Sequence, residues 1–158
     1  MTKSGHQLTG IGAALAAIGL ITLIDPIFSN PLLTGFVAFF GATAPDWLEI
    51  PLGWNGRQRL SVLPHRTWTH WWPLWLLGTA YGLGWITRTP HPLWLAFCIG
   101  GWWHLVLDAP NPMGLPVWTP YQRKSLSWWK SSERIPELVL LSLGTGFALL
   151  SLPALFVR

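Results

Sequence analysis

The stretch Pro92–Asp108, PLWLAFCIGGWWHLVLD, decides the reading of this chain. It opens on a proline, runs through apolar and aromatic residues without a charge, and closes on His104 and Asp108, four residues apart. Pro92 suits the first turn of a helix, and Pro110 and Pro112 stop the same helix after Asp108. On that helix the spacing puts the imidazole and the carboxylate on one face. The run is apolar enough to be read as a membrane span. Ionisable groups in such a span are costly to keep, so a functional site is the default reading. Two residues alone are a weak pattern, since a His–Asp hydrogen bond inside a helix bundle would also account for them.

The rest of the chain has the same character. Of its 158 residues, 51% are hydrophobic and 10% charged, against roughly 25% charged in ordinary soluble domains. With thirteen tryptophans, this composition predicts a single integral membrane domain over residues 1–158. Cys98 stands alone in an apolar run, which excludes a disulfide framework. The net charge of +4 does not argue for nucleic acid, because the cations lie between apolar segments, as membrane topology is written. Lys3 precedes an apolar run that ends at Ile24. Asp25-Pro26-Ile27-Phe28 follows it without small residues for cleavage, so the segment is expected to be retained.

Apolar runs predict helices over about 8–24, 32–46, 68–87, 92–108 and 133–157, with a surface loop over 109–132. The fold expected is therefore all-α, a polytopic membrane bundle of four to five transmembrane helices. The second segment falls short of the about 20 residues a span needs. Asn30-Pro31 and Thr87 to Pro90 are helix breaks, and Ser131-Ser132-Glu133 is a cap for the last helix. If all five segments cross, Lys3, Arg57, Arg59, Arg66, Arg123, Lys124, Lys130 and Arg134 share one side, and Arg88 and Arg158 the other. That bias makes the richer side cytoplasmic, with the N-terminus inside, in a bacterial inner membrane. Trp47, Trp54, Trp68, Trp71, Trp72, Trp103 and Trp118 fall near the same face as interfacial anchors. Trp128-Trp129-Lys130 reads as a stretch along the membrane surface.

On this topology His6, Asp46, Glu49, His65, His70, His104 and Asp108 converge on one side from four segments, whereas Asp25 and His91 fall on the other. Imidazole and carboxylate suit a divalent metal, zinc first among the candidates, with one or two ions. The absence of thiolate partners argues against copper(I) and iron–sulfur clusters. Each residue has a plainer role open to it. For His6 it is helix capping, for Asp46 turn chemistry, and for Glu49 interfacial polarity. One of His65 and His70 has orienting another ligand as its alternative. Arg66 is either a topology anchor or a guanidinium clamp on a phosphate or carboxylate.

Gly5-His6, Ala44-Pro45-Asp46, His65-Arg66-Thr67-Trp68-Thr69-His70, and Gly101-Trp102-Trp103-His104 through Asp108 to Gly114 and Pro120 form an ordered series. It resembles the YdjM-like group of bacterial inner-membrane metal-dependent hydrolases over about residues 5–120. Through that group the chain is distantly similar to zinc-dependent phospholipase C and the single-strand-specific zinc nucleases. The resemblance implies that His104 and Asp108 form the helix pair of metal ligands, that Asp46 is the lone Asp, and that His65 or His70 adds a ligand. The group's usual Pro-Asp-x-Asp-His reads Pro45-Asp46-Trp47-Leu48-Glu49 here, which removes one carboxylate and puts Glu49 in place of a histidine.

The function expected is a membrane-embedded, metal-dependent hydrolase acting on a phosphoester of a lipid or lipid-linked substrate. Asp46 is the candidate general base as well as a ligand, and Arg66 the candidate for stabilising charge on phosphoryl oxygens. Membrane lipids are the expected partners. The rival is a non-catalytic membrane protein whose metal or His/Asp network is structural. A haem carrier is disfavoured because the histidines sit with carboxylates at helix ends, and a protease because H-E-x-x-H is absent.

Overall fold

Helix α5 (Pro92–Asp108) stands among α1 (Lys3–Ile24), α2 (Pro31–Gly41) and α4 (Trp72–Gly82), packing against each of them. The computed structural model describes residues 3–24, 30–55, 58–128 and 135–156. The remaining elements are the short α3 (Ala44–Trp47), strands β1 (Pro51–Asn55) and β2 (Gln58–Ser61), a 3-10 turn at Trp68–His70, strands β3 (Leu115–Pro116) and β4 (Arg123–Lys124), and α6 (Ile135–Phe156). α6 packs along α1.

Local chemistry sets the helix starts. Asn30 caps α2 by accepting a 3.2 Å hydrogen bond from the Leu33 amide, with Pro31 behind it. Prolines likewise occupy the first turns of α3, α4 and α5, where the missing amide costs no intrahelical bond. One core cluster is Ala17, Ile21, Ala38, Leu95 and Ala96, between α1, α2 and α5. A second, Ala44, Trp75 and Leu105, lies next to the His/Asp residues. Small residues let backbones touch. A Cβ added at Gly100 would collide with the Ala38 carbonyl and the Gly41 backbone. This close crossing brings the end of α2 beside the last turns of α5.

Two corrections follow. The described residues are mostly helical but include two small antiparallel hairpins, β1–β2 and β3–β4. In the first, Trp54 is opposite Arg59, with an irregularity between Pro51 and Gly53. In the second, Leu115 is opposite Lys124. The expected polytopic bundle of four to five transmembrane helices is overturned as well: among the described residues, no helix is long and apolar enough to cross a membrane. Helices α2 and α4 have 11 residues each, about 17 Å at 1.5 Å per residue. The 17 residues of α5 reach about 26 Å, still under the about 30 Å of a hydrocarbon core. The 22-residue α1 and α6 interleave glycine, serine and threonine with their apolar residues. Apolar character outran the helices: after Gly41 the chain turns at Thr43, forms α3 and enters the hairpin. The sidedness assigned from five crossings falls with them.

Candidate metal centre

Three pieces of chain meet at the C-terminal end of α5. The α2–α3 corner presents Asp46 in the first turn of α3. The last turns of α5 present His104 and Asp108, both about 97–98% buried. The third piece is the segment 62–70, pinned to Glu49 and Ile50 by Leu63 N–H to Glu49 O and Val62 N–H to Ile50 O, both 3.1 Å. It ends in the 3-10 turn, where the His70 amide donates to Thr67 O at 3.1 Å. That turn inserts His70, fully buried, between α3 and α5.

His70 Nε2 lies 3.7 Å from Asp46 Oδ1 and 3.6 Å from Asp108 Oδ2. His104 Nε2 lies 3.4 Å from the same Asp108 Oδ2, and the two imidazoles stand 5.2 Å apart, steeply inclined. These separations are long for hydrogen bonds. They match the spacing of ligand atoms around one ion: bonds of 2.0–2.2 Å in a tetrahedron put neighbouring donors about 3.3–3.6 Å apart. His70 Nε2 is buried with no hydrogen-bond partner, an uncommon condition for a buried polar atom that a bound cation would relieve. Asp46, His70 and His104 form a group that could hold a metal ion, and the donor set fits one.

The far side of each residue is held in place. His104 Nδ1 donates to Ala42 O at 2.8 Å, which leaves the Nε2 lone pair facing Asp108. Asp108 Oδ1 accepts from Arg66 Nη2 at 2.7 Å and from Asn111 Nδ2 at 3.0 Å, leaving Oδ2 towards the histidines. Glu49, wholly buried, accepts from the Arg66 amide at 2.8 Å and contacts His65 Nδ1 at 2.8 and 3.0 Å. Its Oε1 is also 3.3 Å from His70 Nδ1 and 3.4 Å from Thr69 Oγ1. Outer contacts of this kind set the tautomer and orientation of histidine ligands. Arg66 sits at φ +56°, a left-handed conformation that costs energy in a non-glycine residue and concentrates at functional sites.

The electrostatics follow from burial and pairing. Burial pushes His70 below its ordinary value, although Glu49 pulls the other way. This favours the neutral imidazole a metal needs. For His104 burial also opposes the charge, but Asp108, Asp46 and the Ala42 carbonyl together carry it above the ordinary value. Burial would raise Asp108, yet His104, Arg66 and His70 hold it well below the usual carboxylate range. Glu49 is brought down to about 2, because hydrogen bonds from His65, His70 and the Arg66 amide outweigh its burial. Burial pushes the Cys98 thiol up to about 12, so it is a packing residue.

Of the residues singled out in the sequence, Asp46, His70, His104 and Asp108 come together, with Glu49 and His65 behind them. Asp46, Glu49 and His65 also form a possible metal-holding group. Arg66 is 6% exposed. Its guanidinium points inward, to Asp108 and, at 3.4 Å, to Gly114 O. The side chain of His6 lies outside the described residues, as do Trp129 and Lys130. Sequence reasoning missed Ala42 and Asn111, and it quoted Thr69 and Gly114 only within the ordered series, without a role of their own. A carbonyl leaves no signal in the residue type, but Asn111, three residues beyond Asp108, was within reach of the helix reading.

A mostly helical protein with a buried His/carboxylate cluster able to hold a metal ion is the class these features define. The chain belongs to the YdjM inner membrane protein family, whose description matches residues 1–156, and the inner membrane is its place. No curated protein and no solved structure matches it. These comparisons do not extend to zinc-dependent phospholipase C or the zinc nucleases.

Proposed function

We propose that this protein is a metal-dependent hydrolase of the inner membrane, acting on a phosphoester of a lipid or lipid-linked substrate. The observation that supports it best is the group Asp46, His70 and His104, with the His70 Nε2 that has no hydrogen bond among its donors and Asp108 Oδ2 3.4–3.6 Å from both imidazoles. Zinc is the favoured ion, given two imidazoles, two carboxylates and no thiolate. When bound, a divalent ion supplies Lewis acidity and lowers the pKa of water towards 7.

The chain's own residues do the rest. His70 presents a neutral nitrogen, and His104 Nε2 would bind the ion in place of a proton. Asp108 supplies charge that Arg66 and Asn111 keep aimed. Asp46 has a quarter of its side chain exposed, so it is the carboxylate that meets incoming water and takes its proton as general base. His65, 34% exposed, borders the same opening. Exposed Trp47 (45%) and Leu48 (37%) flank Asp46, an apolar rim that favours a substrate with a lipid portion.

A structural metal is the second reading. It is favoured by Arg66, whose guanidinium is engaged with Asp108 and Gly114 O rather than turned to the opening. One experiment separates the two. The purified protein, Asp46→Ala and His104→Ala are assayed for bound metal by elemental mass spectrometry and for phospholipid turnover. Near-stoichiometric metal in the wild type, lost in both variants, with phosphoester cleavage, is the result expected. Metal without turnover of any phosphoester would leave the structural reading. A wild type that neither holds nor takes up zinc or manganese would end both.

A further inference from the structure

Glu49 belongs to one of the two groups of side chains that could hold an ion, with Asp46 and His65. Its surroundings argue for another task. The carboxylate is 0% exposed, and both oxygens are already engaged. His65 Nδ1 touches both, and the Arg66 amide, the Thr69 hydroxyl and His70 Nδ1 surround Oε1. A carboxylate offers about four lone-pair directions, and four donors stand around this one. Three of those donors crowd Oε1, and His65 Nδ1 lies 2.8 Å from Oε2, so an ion at Glu49 would compete with His65 for the carboxylate.

The position of His70 decides the matter. Its Nδ1 faces Glu49, while its Nε2 faces Asp46 and Asp108. Glu49 therefore lies on the Nδ1 side of the His70 ring, opposite the Nε2 that faces Asp46 and Asp108. A carboxylate oxygen 3.3 Å from Nδ1 repels a lone pair there and favours a proton. The Thr69 hydroxyl, 3.1 Å from Nδ1 and 3.4 Å from Glu49 Oε1, completes the relay by accepting from the ring and donating to the carboxylate.

We propose that Glu49 is a positioning residue. Its buried carboxylate fixes the Nδ1–H tautomer and the ring orientation of His65 and His70, which presents their Nε2 atoms, and it does not bind the metal. The inference deepens the metal-centre reading given above and rests on it for the role of those Nε2 atoms.

Two measurements on the full chain test it. With 15N-labelled histidine, long-range 1H–15N spectra of the metal-free protein report each ring's tautomer. The wild type should show Nδ1–H for His65, His70 and His104. In Glu49→Gln at least one of His65 and His70 should lose it, while His104, held by Ala42 O, keeps it as an internal control. Zinc and cobalt(II) titrations supply the second readout. Glu49→Gln should keep the wild-type stoichiometry and cobalt band positions but bind about 10–100-fold more weakly, as loss of an outer orienting partner does. An Nε2–H tautomer for His70 in the wild type would overturn the proposal even if the variant does not fold. A shift of the cobalt bands in Glu49→Gln, signalling a lost oxygen ligand, would overturn it too. A wild type with the expected tautomers that binds neither ion would defeat the metal-centre reading and leave Glu49 its orienting role.

Discussion

Asp108 shows how a single buried carboxylate is made tolerable. Its two oxygens have different duties: Oδ1 takes Arg66 and Asn111, and Oδ2 faces His70 and His104. Removing one partner of a buried pair leaves a stranded charge, which costs about 3–5 kcal/mol. Arg66→Met is therefore expected to lower stability by that order, read as a fall in the denaturation midpoint at unchanged slope. A loss under about 1 kcal/mol would mean that Asp108 does not depend on Arg66. Glu49 gives a pH signature. Its folded-state value, about 2, lies below the ordinary 4.5. Its contribution is thus complete above about pH 4.5 and disappears as the pH falls towards 2. The metal-free protein should lose stability across that window, and Glu49→Gln should flatten the loss. Equal slopes in the two proteins would refute the assignment.

Among the elements, the contact of α2 with α5 matters most to the site, because Ala42 O can hold His104 only when the two backbones touch. Gly100 allows that approach. Gly100→Ala forces a methyl against the Ala38 carbonyl, and overpacking of this kind costs about 1–3 kcal/mol. The variant should melt lower and bind metal more weakly, since α5 must move off Ala42. Gly146 on α6 is the control: a methyl added there meets nothing within 4 Å. Gly146→Ala should be neutral or stabilise by up to about 1 kcal/mol through helix propensity. If both variants melt alike, the tight crossing is not what holds the site. The hairpins have a comparable role. β1–β2 returns the chain after Glu49, so that residues 65–70 fold back against Glu49. Gly114, the residue before β3, brings its carbonyl to Arg66.

At the scale of the whole molecule, the site ties α3, the 65–70 segment and α5 together, and an ion bound to the folded state alone stabilises all three. A ligand at a thousand times its Kd adds about 4 kcal/mol. Chelation should therefore lower the melting temperature, and zinc should restore it in the wild type but not in His104→Ala. No change on chelation would separate the fold from the metal. The exposed surface is strongly apolar, with Leu32 at 87%, Trp85 at 75% and Leu52 at 70%, in keeping with an inner-membrane family. What the sequence determined was local or compositional. Prolines in the first turns of helices, the four-residue step from His104 to Asp108, and an apolar composition can each be read without knowing which segments touch. The number of helices long enough to span could not be read that way. Hydropathy measures how apolar a run is, not where the backbone turns, and the run beyond Gly41 turns at Thr43 and continues into α3 and a hairpin. Nor could the division of labour among the polar residues be read. A carboxylate faces a metal site or stands behind a histidine according to which lone pairs neighbouring segments occupy. Only the packing of α2, the 62–70 segment and α5 put Glu49 on the Nδ1 side of His70 and turned Arg66 inward to Asp108.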